Sequence, residues 1–359
     1  MDSVAELAGR EGRYRRRVVT PPVPRAAAPR ARASALPLVS VVIPVRPGAP
    51  TPEALRALRG LSYPSSRIEA FVARGVQPAR QRNEAVRRAR GEILLFLDDD
   101  SEASPGLLLR YVESFRGDPR LGAAGGPAQA SRGNRIQSLS ALVLGDPRVT
   151  GRSAARYCPV GELRAADERE LILCNLAVRR SAFEDLGGFD ESLYPNEEND
   201  FLERMARRGW KLLYDPDAVV ERPQRETLAA LLAAIQGYGR GRAAQWRRLP
   251  SRVSRRRGGL AAAALLGVAA IFAAPFFRSA LCFVPGAVYA AYLAGLALRF
   301  SRRVGLRDAV AASGLAGLVH ASYAAGLLAG VFVPARPRPA SAVAVEPVTV
   351  RPLGARRAT

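Results

Sequence analysis

The sequence predicts an α/β fold that is followed by membrane helices. In the N-terminal part of the chain, short apolar runs rich in β-branched residues alternate with amphipathic helical segments. This alternation is typical of βαβ units, which build a mostly parallel sheet. Beyond residue 257, three long apolar segments replace the alternation, and they contain no Asp, Glu, Lys or Arg and a single histidine. Each is long enough to cross a hydrocarbon core, which needs roughly 20 residues.

The strands and helices can be assigned in order along the chain. A β-branched run at residues 38–45 predicts a buried strand. Thr51 and Pro52 supply an N-cap and a proline at the first helical position, so a helix is predicted at 51–61. Further strands are predicted at residues 68–73, 92–97, 121–126 and 171–178, and further helices at 78–90, 105–116 and 197–208. Residues 128–170 are irregular and polar, and no element is assigned there.

Three adjacent carboxylates, Asp98, Asp99 and Asp100, end the apolar run at residues 92–97. Open α/β sheets place their ligands at the carboxyl ends of strands. Neighbouring carboxylates repel one another unless a cation lies among them, and hard oxygen ligands favour Mg²⁺ or Mn²⁺ completed by substrate phosphates. We therefore predict a metal–diphosphate site at this strand end. The alternative is a solvated acidic turn.

The charge balance points to an anionic partner. The formal net charge is +22, and Lys211 is the only lysine, so nearly all basic charge is arginine. Nucleic acid and an anionic membrane surface both suit such a balance. A run of arginines at residues 247–257 precedes the apolar segments and lacks interleaved aromatic residues, which favours the membrane and argues against nucleic acid. Cysteines are three, far apart and without a CxxC pair, so no disulfide framework is predicted.

The composition divides the chain into five parts. Residues 1–36 are predicted to be a disordered basic arm, 37–245 the folded domain, and 246–257 a basic juxtamembrane segment. Residues 258–334 hold the three apolar segments, at 258–277, 279–298 and 309–334, and residues 335–359 are a predicted disordered tail. The positive-inside rule places residues 1–257 in the cytoplasm and the C-terminus outside. Two alternatives remain open: a hairpin of the first two segments that does not fully cross, and buried helices of a soluble domain.

Four motifs in order carry a resemblance to a known family. They are the strand at 39–45; Arg82-Asn83 followed by the block at 89–100; the turn Gly187-Gly188-Phe189-Asp190-Glu191; and the helix start at 197–204. Together they resemble family 2 glycosyltransferases of the GT-A fold, in their membrane-anchored bacterial form. The resemblance covers about residues 37–245. It implies a Rossmann-like mixed sheet with flanking helices.

The resemblance also implies donor-binding roles. Asp98 and Asp100 match the DxD pair, which holds the donor ribose and the metal bound to the diphosphate, with Asp99 as its middle residue. The implied cofactors are Mn²⁺ or Mg²⁺ and a UDP-, GDP- or dTDP-linked sugar. The other positions that match the nucleotide side of the family's site are Pro44, Arg82, Asn83, Arg240 and Arg242, the last two as caps of the leaving diphosphate or, alternatively, as membrane-proximal charge.

The catalytic base is expected in the helix at 197–208. Glu198 falls where the family has the Asp that serves as base, and Glu197 falls on the preceding Glu. An inverting transfer needs such a carboxylate to take the proton of the acceptor hydroxyl. The choice between Glu197 and Glu198 stays open, and Asp200 is a third candidate.

The chain departs from the family at two places. The second strand ends Ala73-Arg74-Gly75, without the Asp that reads the nucleotide base. Where many members carry a metal-binding His, this chain has Glu221 and Arg222, and Glu221 is the expected substitute ligand. The only histidine, His320, lies in the third apolar segment and is interpreted as a neutral, packed or hydrogen-bonded residue.

The resemblance implies a metal-dependent, inverting glycosyltransferase at the cytoplasmic face of a bacterial inner membrane. It would move a sugar from a nucleotide-sugar donor to a lipid-linked or polysaccharide acceptor, next to membrane lipids and without nucleic acid. Two alternatives are kept: transfer to polyprenyl phosphate itself, and a non-catalytic membrane scaffold with a degenerate nucleotide site. The donor sugar, the acceptor and the oligomeric state stay open.

Overall fold

A mixed β-sheet forms the centre of the protein in a computed structural model, which describes residues 36–131, 133–248, 283–333 and 341–350. The predicted basic arm up to residue 35, the juxtamembrane segment from residue 249 and the apolar segment at 258–277 lie outside the described residues. The strands are β1 Val39–Val45, β2 Ile68–Arg74, β3 Ile93–Leu97, β4 Glu102–Ala103, β5 Leu121–Gly125, β6 Ala128–Ala130, β7 Arg164–Ala165, β8 Asn175–Arg179, β9 Lys211–Tyr214, β10 Val220–Arg222 and β11 Ala344–Val348.

Helices pack around the sheet and continue beyond it. They are α1 Glu53–Leu58, α2 Pro78–Arg88, α3 Leu107–Gly117, α4 Arg135–Leu144, α5 Pro147–Thr150, α6 Arg180–Asp185, α7 Glu197–Arg207, α8 Leu228–Arg248, α9 Val284–Phe300 and α10 Leu306–Phe332, with 3₁₀ turns at Ser65–Arg67 and Gly151–Arg156.

The sheet has eight strands in the order β11-β2-β1-β3-β8-β5-β9-β7. β1 runs parallel to β2 and β3, whereas β8 runs antiparallel to β3 and β5. A second sheet of three strands, β4-β10-β6, lies beside the acidic turn. The predicted α/β class with a Rossmann-like mixed sheet is therefore confirmed.

The central strands form because their residues are apolar on both faces. All five residues of β3 are buried, as expected for a strand covered on both sides of a sheet. Phe96 of β3 joins Phe183, Phe189 and Phe201 in an aromatic cluster with ring centroids 4.7–5.9 Å apart. The cluster fixes α7 and the turn before it against the end of β3.

The segment without a predicted element at 128–170 contains short elements. Asn134 and Gln137 form a capping box at the start of α4, and the Asp146 side chain caps α5. The strand predicted at 171–178 begins only at Asn175, because residues 172–175 form a turn closed by the Asn175 N–H to the Ile172 carbonyl. Within β8, the buried Asn175 amide donates to the carbonyls of Pro127 and Ala218, which ties the two sheets together.

Close approach of α8 and α10 depends on glycine. A Cβ on Gly326 would lie 2.0 Å from the Gln236 carbonyl oxygen, and one on Gly239 would lie 2.3 Å from the Tyr323 carbonyl oxygen. Such small residues let two helix backbones approach each other. The third predicted apolar segment is therefore packed along the folded domain by its glycine side.

Only α10 is long and apolar enough to cross a membrane among the residues that the structure describes. Its 27 residues correspond to roughly 40 Å at 1.5 Å per residue. The second predicted segment gives α9, whose 17 residues correspond to roughly 25 Å, less than a hydrocarbon core of about 30 Å. A full crossing by that segment as a helix is therefore not supported.

Residues 341–350 differ from two expectations about the C-terminal part of the chain. Residues 335–359 were expected to be disordered, yet Ala344–Val348 form β11, an edge strand antiparallel to β2. The C-terminus was expected across the membrane from the folded domain, but backbone pairing with β2 puts β11 on the same side as the sheet. The short sequence Ala-Val-Glu-Pro-Val gives little local signal, and its proline is tolerated because the strand lies at an edge.

The glycine contact predicts a stability difference between two positions of α10. Gly326→Ala is expected to lower the free energy of unfolding by about 1–3 kcal/mol, because its Cβ meets backbone of α8. Gly314→Ala, where a Cβ meets nothing within 4 Å, should change it by no more than about 1 kcal/mol and in the stabilising direction. Thermal unfolding followed by tryptophan fluorescence measures both. Equal midpoints of thermal unfolding for the two variants would contradict the close contact between Gly326 and α8.

Candidate functional site

The acidic turn lies directly at the carboxyl end of β3. Its backbone is closed by the Ser101 N–H to the Asp98 carbonyl and by the Ser101 hydroxyl, which accepts from the Asp98 N–H. Ser101 itself is fully buried. The turn is thus a fixed part of the fold and not a loosely solvated loop.

Two arginines hold the first and third carboxylates of the turn. Arg82 of α2 donates through Nη2 to Asp98 Oδ1 at 2.9 Å. Arg222 of β10 lies 3.1 Å from Asp98 Oδ2 through Nη1 and donates through Nε to Asp100 Oδ1 at 2.9 Å. Burial acts to raise the pKa of Asp98, but the charges of Arg222 and Arg82 outweigh it and lower that pKa below its ordinary value.

Asp99 differs from its two neighbours. The Arg222 ion pairs join Asp98 and Asp100 and leave out the middle residue. Burial, followed by the charges of Asp100 and Asp98, raises the pKa of the Asp99 carboxyl. This alternation agrees with a working pair separated by a spacer, while the predicted contact of Asp99 with the donor stays a prediction.

Glu221 does not face the acidic turn as a substitute metal ligand would. Successive side chains of a strand point to opposite faces. In β10 the side chain of Arg222 reaches Asp98 and Asp100, so Glu221 points the other way, and it is exposed. Of the two residues at this position, the structure therefore brings the arginine to the site.

The two glutamates at the start of α7 have different surroundings. Glu197 is buried: Oε1 accepts from Arg82 Nη1 at 3.2 Å, and Oε2 accepts from the Asn196 N–H at 3.1 Å. Glu198 accepts from Asn199 at 3.2 Å and lies 3.4 Å from Arg156 Nη1. The Glu198 side chain is 15% exposed against 4% for Glu197, so Glu198 is the more accessible carboxylate.

Arg82 links the base helix to the acidic turn. Its Nη1 contacts Glu197 of α7 and its Nη2 contacts Asp98 after β3, and its side chain is only 4% exposed. One guanidinium thus bridges the two regions that the sequence assigned to the base and to the donor. The structure brings these regions together, although they are about one hundred residues apart in sequence.

Two other predicted residues hold the turn at 187–191. Asn83 donates to the Phe189 carbonyl and to Glu191, and accepts from the Phe189 N–H. Asp200 accepts from Arg204 Nε at 2.8 Å, and Arg204 donates in turn to the Leu186 and Gly188 carbonyls. These contacts give Asn83 and Asp200 a structural explanation, while their roles in donor binding and catalysis stay predictions.

The start of α7 is fixed by α8. Asn196 precedes α7 with a φ of 111°, a conformation that asparagine tolerates better than most residues. Its amide donates to Gln245 of α8 at 2.6 Å. Arg242 donates to Gln245 and to Asn199, so it fastens α8 to α7. Arg240 is exposed, and its predicted contact with a diphosphate, like that of Arg242, is untested.

The nucleotide end of the sheet contains a contact that the sequence did not predict. Pro44 lies opposite Ala73 in the register of β1 and β2. Next to it, Arg74 donates to the Ala49 carbonyl at 2.9 Å and lies 3.7 Å from Glu346 of β11. A carboxylate therefore reaches the end of β2 from the C-terminal strand, near the place of the missing Asp. The sequence did not indicate this contact, because it depends on the pairing of β11 with β2, which are far apart along the chain.

A cavity adjoins Arg222. Its polar border is formed by Arg222, Gln224, Arg225 and Tyr238, and its apolar border includes Leu144, Ile172, Leu231 and Ile235. The cavity combines arginine charge with an aliphatic wall. Tyr157 also lines it, and burial raises the pKa of its phenol well above the ordinary value.

The carboxylates of the turn fit a cation. Asp98 and Asp100 each direct an oxygen to the same guanidinium, so their charges converge on one cationic group. Within the described residues, no three His, Cys, Asp or Glu side chains form a metal-binding cluster. Protein ligands for a Mg²⁺ or Mn²⁺ ion would therefore be few, which suits an ion completed by phosphates and water.

Protonation of Glu197 predicts how stability depends on pH. Burial, followed by the charge of Glu198, raises the Glu197 pKa from 4.5 to about 7. The folded state therefore binds this proton more tightly, and the resulting stability is complete below about pH 4.5 and is lost as pH rises through about 7. The wild type is expected to lose about 1–3 kcal/mol of its free energy of unfolding between pH 5 and 8, and Glu197→Gln should remove this loss. Urea unfolding of the wild type and the variant at pH 5 and pH 8 checks this. An equal change in the free energy of unfolding between the two pH values in both proteins would contradict it.

Comparisons with known proteins identify the family of the chain. The family described as "Glycosyltransferase like family 2" matches residues 30–235, which is more than half of the chain. Two curated relatives, the pre-mycofactocin glycosyltransferases of Mycobacterium tuberculosis strains CDC 1551 / Oshkosh and H37Rv, are 27% identical over 170 residues, 45% of this chain. The matched region spans 33% of their length.

A solved structure gives the fold. The chain is similar to a mannosyltransferase from Pyrobaculum calidifontis in complex with GDP-Man and Mn²⁺, with a TM-score of 0.51 and 18% identity over 84% of this chain and 89% of that one. At this identity the likeness concerns the fold alone. Because the family match extends over more than half of the chain, the protein belongs to glycosyltransferase family 2 and has the predicted GT-A type of fold.

Proposed function

We propose that the chain is an inverting glycosyltransferase that moves a sugar from a nucleotide-sugar donor to an acceptor hydroxyl. The observation that carries the proposal is the Arg82 bridge between Asp98 and Glu197. It joins a carboxylate pair suited to a cation and a diphosphate with a helix start that presents the accessible Glu198. The carboxylates that would serve the leaving diphosphate and the carboxylate that would accept the acceptor proton are thereby brought into one site.

On the donor side, Asp98 and Asp100 are the residues that would hold a Mn²⁺ or Mg²⁺ ion. When bound, such an ion would neutralise the charge that develops on the leaving diphosphate. The charges of Arg222 and Arg82 lower the pKa of Asp98, and Arg82 also orients its carboxylate. Arg222 adds a guanidinium that suits phosphate oxygens because it donates in a planar fork.

On the acceptor side, Glu198 is the proposed base. Its carboxylate would accept the proton of the attacking hydroxyl, on the face of the sugar opposite the leaving diphosphate. Arg156, which also donates to Asn199 at 2.7 Å, orients Glu198. Glu197 instead holds Arg82 with one oxygen and the Asn196 N–H with the other, so we assign it a positioning role.

The proposed acceptor is lipid-linked or a polysaccharide at the cytoplasmic face of the inner membrane. Support comes from α9 and α10, which expose apolar side chains such as Val288, Leu298 and Val310, and from the arginines of the turn between them. A sedimentation assay with vesicles tests the membrane role. Binding to vesicles that contain anionic lipid is expected, and failure to bind any vesicle would contradict it.

A second candidate is polyprenyl phosphate as the acceptor. The cavity beside Arg222 favours it, because an aliphatic wall next to Arg222 and Arg225 suits an acceptor with an apolar chain and an anionic group. A phosphate acceptor needs no strong base. Retained transfer in both Glu197→Gln and Glu198→Gln would select this candidate over a hydroxyl acceptor.

Calorimetry with donors tests the proposed function. UDP-, GDP- and dTDP-sugars are titrated into the purified full chain with Mn²⁺ present. Binding of one donor class, and its loss in Asp98→Asn, is the expected result. Absence of binding for every donor would contradict the proposal and favour a non-catalytic scaffold.

A further inference from the structure

We propose that Arg222 occupies the cation position between Asp98 and Asp100 in the donor-free protein, and that a divalent cation gains those carboxylates only when a nucleoside diphosphate draws the guanidinium away. The diphosphate part of this inference rests on the proposed function. The occupation of the carboxylates by Arg222 stands on geometry alone.

The geometry places Arg222 where a cation would bind. Its Nε donates to Asp100 Oδ1 at 2.9 Å, and its Nη1 lies 3.1 Å from Asp98 Oδ2. Asp98 Oδ1 is bound by Arg82 at 2.9 Å, so both oxygens of Asp98 already face a guanidinium. A cation that approached Asp98 and Asp100 would therefore meet no free oxygen on Asp98.

Charge also opposes a divalent ion while Arg222 is in place. Asp98 and Asp100 both face the Arg222 guanidinium, and Asp98 also faces Arg82, which it shares with Glu197, so positive charge already lies at both carboxylates. The Arg222 side chain is 21% exposed, which limits screening by solvent. The positive charge of Arg222 would therefore repel a dication that approached the same two carboxylates, which weakens its binding.

The surroundings of Arg222 give its guanidinium an alternative position. Arg222 lines the cavity that Gln224, Arg225 and Tyr238 also border, so open volume adjoins its side chain. A diphosphate at the acidic turn offers oxygens that arginine binds in a bidentate manner. Exchange of carboxylate for phosphate would free Asp98 Oδ2 and Asp100 Oδ1 for the ion.

Cation and nucleotide should consequently bind as a coupled pair. A ligand that removes Arg222 raises the affinity of the carboxylates for Mn²⁺, and by linkage Mn²⁺ raises the affinity for the nucleotide by the same factor. Arg222 is thus a positioning residue that makes metal binding conditional on the donor.

Calorimetric titration of Mn²⁺ alone into the purified full chain tests the inference. Arg222→Met is expected to bind Mn²⁺ at least about tenfold more tightly than the wild type, and Arg222→Lys, which keeps the positive charge, should bind as weakly as the wild type. The added substitution Asp100→Asn should abolish the gain. Equal Mn²⁺ affinities for the wild type and Arg222→Met would overturn the inference.

A matched control and a second measurement complete the test. Arg207→Met removes an exposed arginine that pairs with Glu203 and should leave the Mn²⁺ affinity within about threefold. Equilibrium dialysis of UDP and GDP against the wild type, with and without Mn²⁺, decides the question even if Arg222→Met does not fold. A wild type that binds Mn²⁺ as tightly alone as with nucleotide would also overturn it. Failure of both nucleotides to bind would count against the proposed function, while the titration of Mn²⁺ alone still tests Arg222.

Discussion

Glu198→Gln is expected to lower kcat for sugar transfer by about 10²–10⁴-fold, because glutamine cannot accept the proton of the acceptor hydroxyl. Donor affinity should stay within about threefold, since the substitution preserves the shape of the side chain and Glu198 is not part of the Arg82–Asp98 bridge. Transfer of labelled sugar and calorimetric donor binding measure the two quantities separately.

Glu203→Gln is the matched control for this variant. Glu203 lies on the same helix and accepts from Arg207 and Gln245, and the amide oxygen of a glutamine can still accept from Gln245. Its activity is expected to stay within about threefold of the wild type. Undiminished transfer by Glu198→Gln would rule out Glu198 as base, and a parallel loss in both variants would show damage to α7 in place of lost chemistry.

Asp100→Asn is expected to reduce nucleoside diphosphate release by at least about 10²-fold. The substitution removes one of the two carboxylates that converge on the cation position and leaves the Arg222 guanidinium with a single carboxylate partner, Asp98. A coupled assay for nucleoside diphosphate measures the loss. Raising Mn²⁺ should restore little activity, since a neutral amide is a weak ligand for a hard cation.

Glu102→Gln serves as control for that prediction. Glu102 is exposed in β4 and lies two residues beyond Asp100, so its substitution removes the same charge from the same region. Release should remain within about threefold of the wild type, because long-range effects of an exposed charge are screened by salt. Full activity of Asp100→Asn would contradict the role of this carboxylate.

Local patterns were sufficient to predict the centre of the fold. The strand at 38–45 and the helix at 78–90 correspond to β1 Val39–Val45 and α2 Pro78–Arg88, because apolar runs and a proline at a helix start are local signals. The short elements at 128–170 were missed because the local sequence signals for the two helices are confined to their N-terminal caps. The edge strand β11 was missed because its stability comes from β2, far away in sequence.

The sequence could identify some residues of the site but not the contacts between them. Asp98 and Asp100 could be selected because three carboxylates follow a buried strand. The contacts of Arg222 with both could not be predicted, since they depend on where β10 lies beside β4 and β6. Nothing local indicated Arg156 beside Glu198 or Glu346 beside Arg74, because each pair is made by tertiary packing.

The largest difference between sequence and structure concerns how the apolar C-terminal segments lie relative to the folded domain. Spacing of apolar residues indicates which segments are long enough, but not which surfaces they contact. The glycines of α10 pack it against α8, and β11 returns the chain to the sheet. In the structure, α10 stays close to the folded domain, α9 and α10 turn apolar side chains outward, and β11 pairs with β2.

Turnover of a nucleotide-sugar by the purified full chain tests the central claim most directly. The wild type is supplied with UDP-, GDP- and dTDP-sugars, a lipid extract as acceptor, and Mn²⁺ or a chelator. We expect one donor class to give nucleoside diphosphate and labelled lipid in equal amounts, with Mn²⁺ required and with Asp100→Asn inactive. Equal release by the wild type and Asp100→Asn, or no release from any donor, would contradict the account.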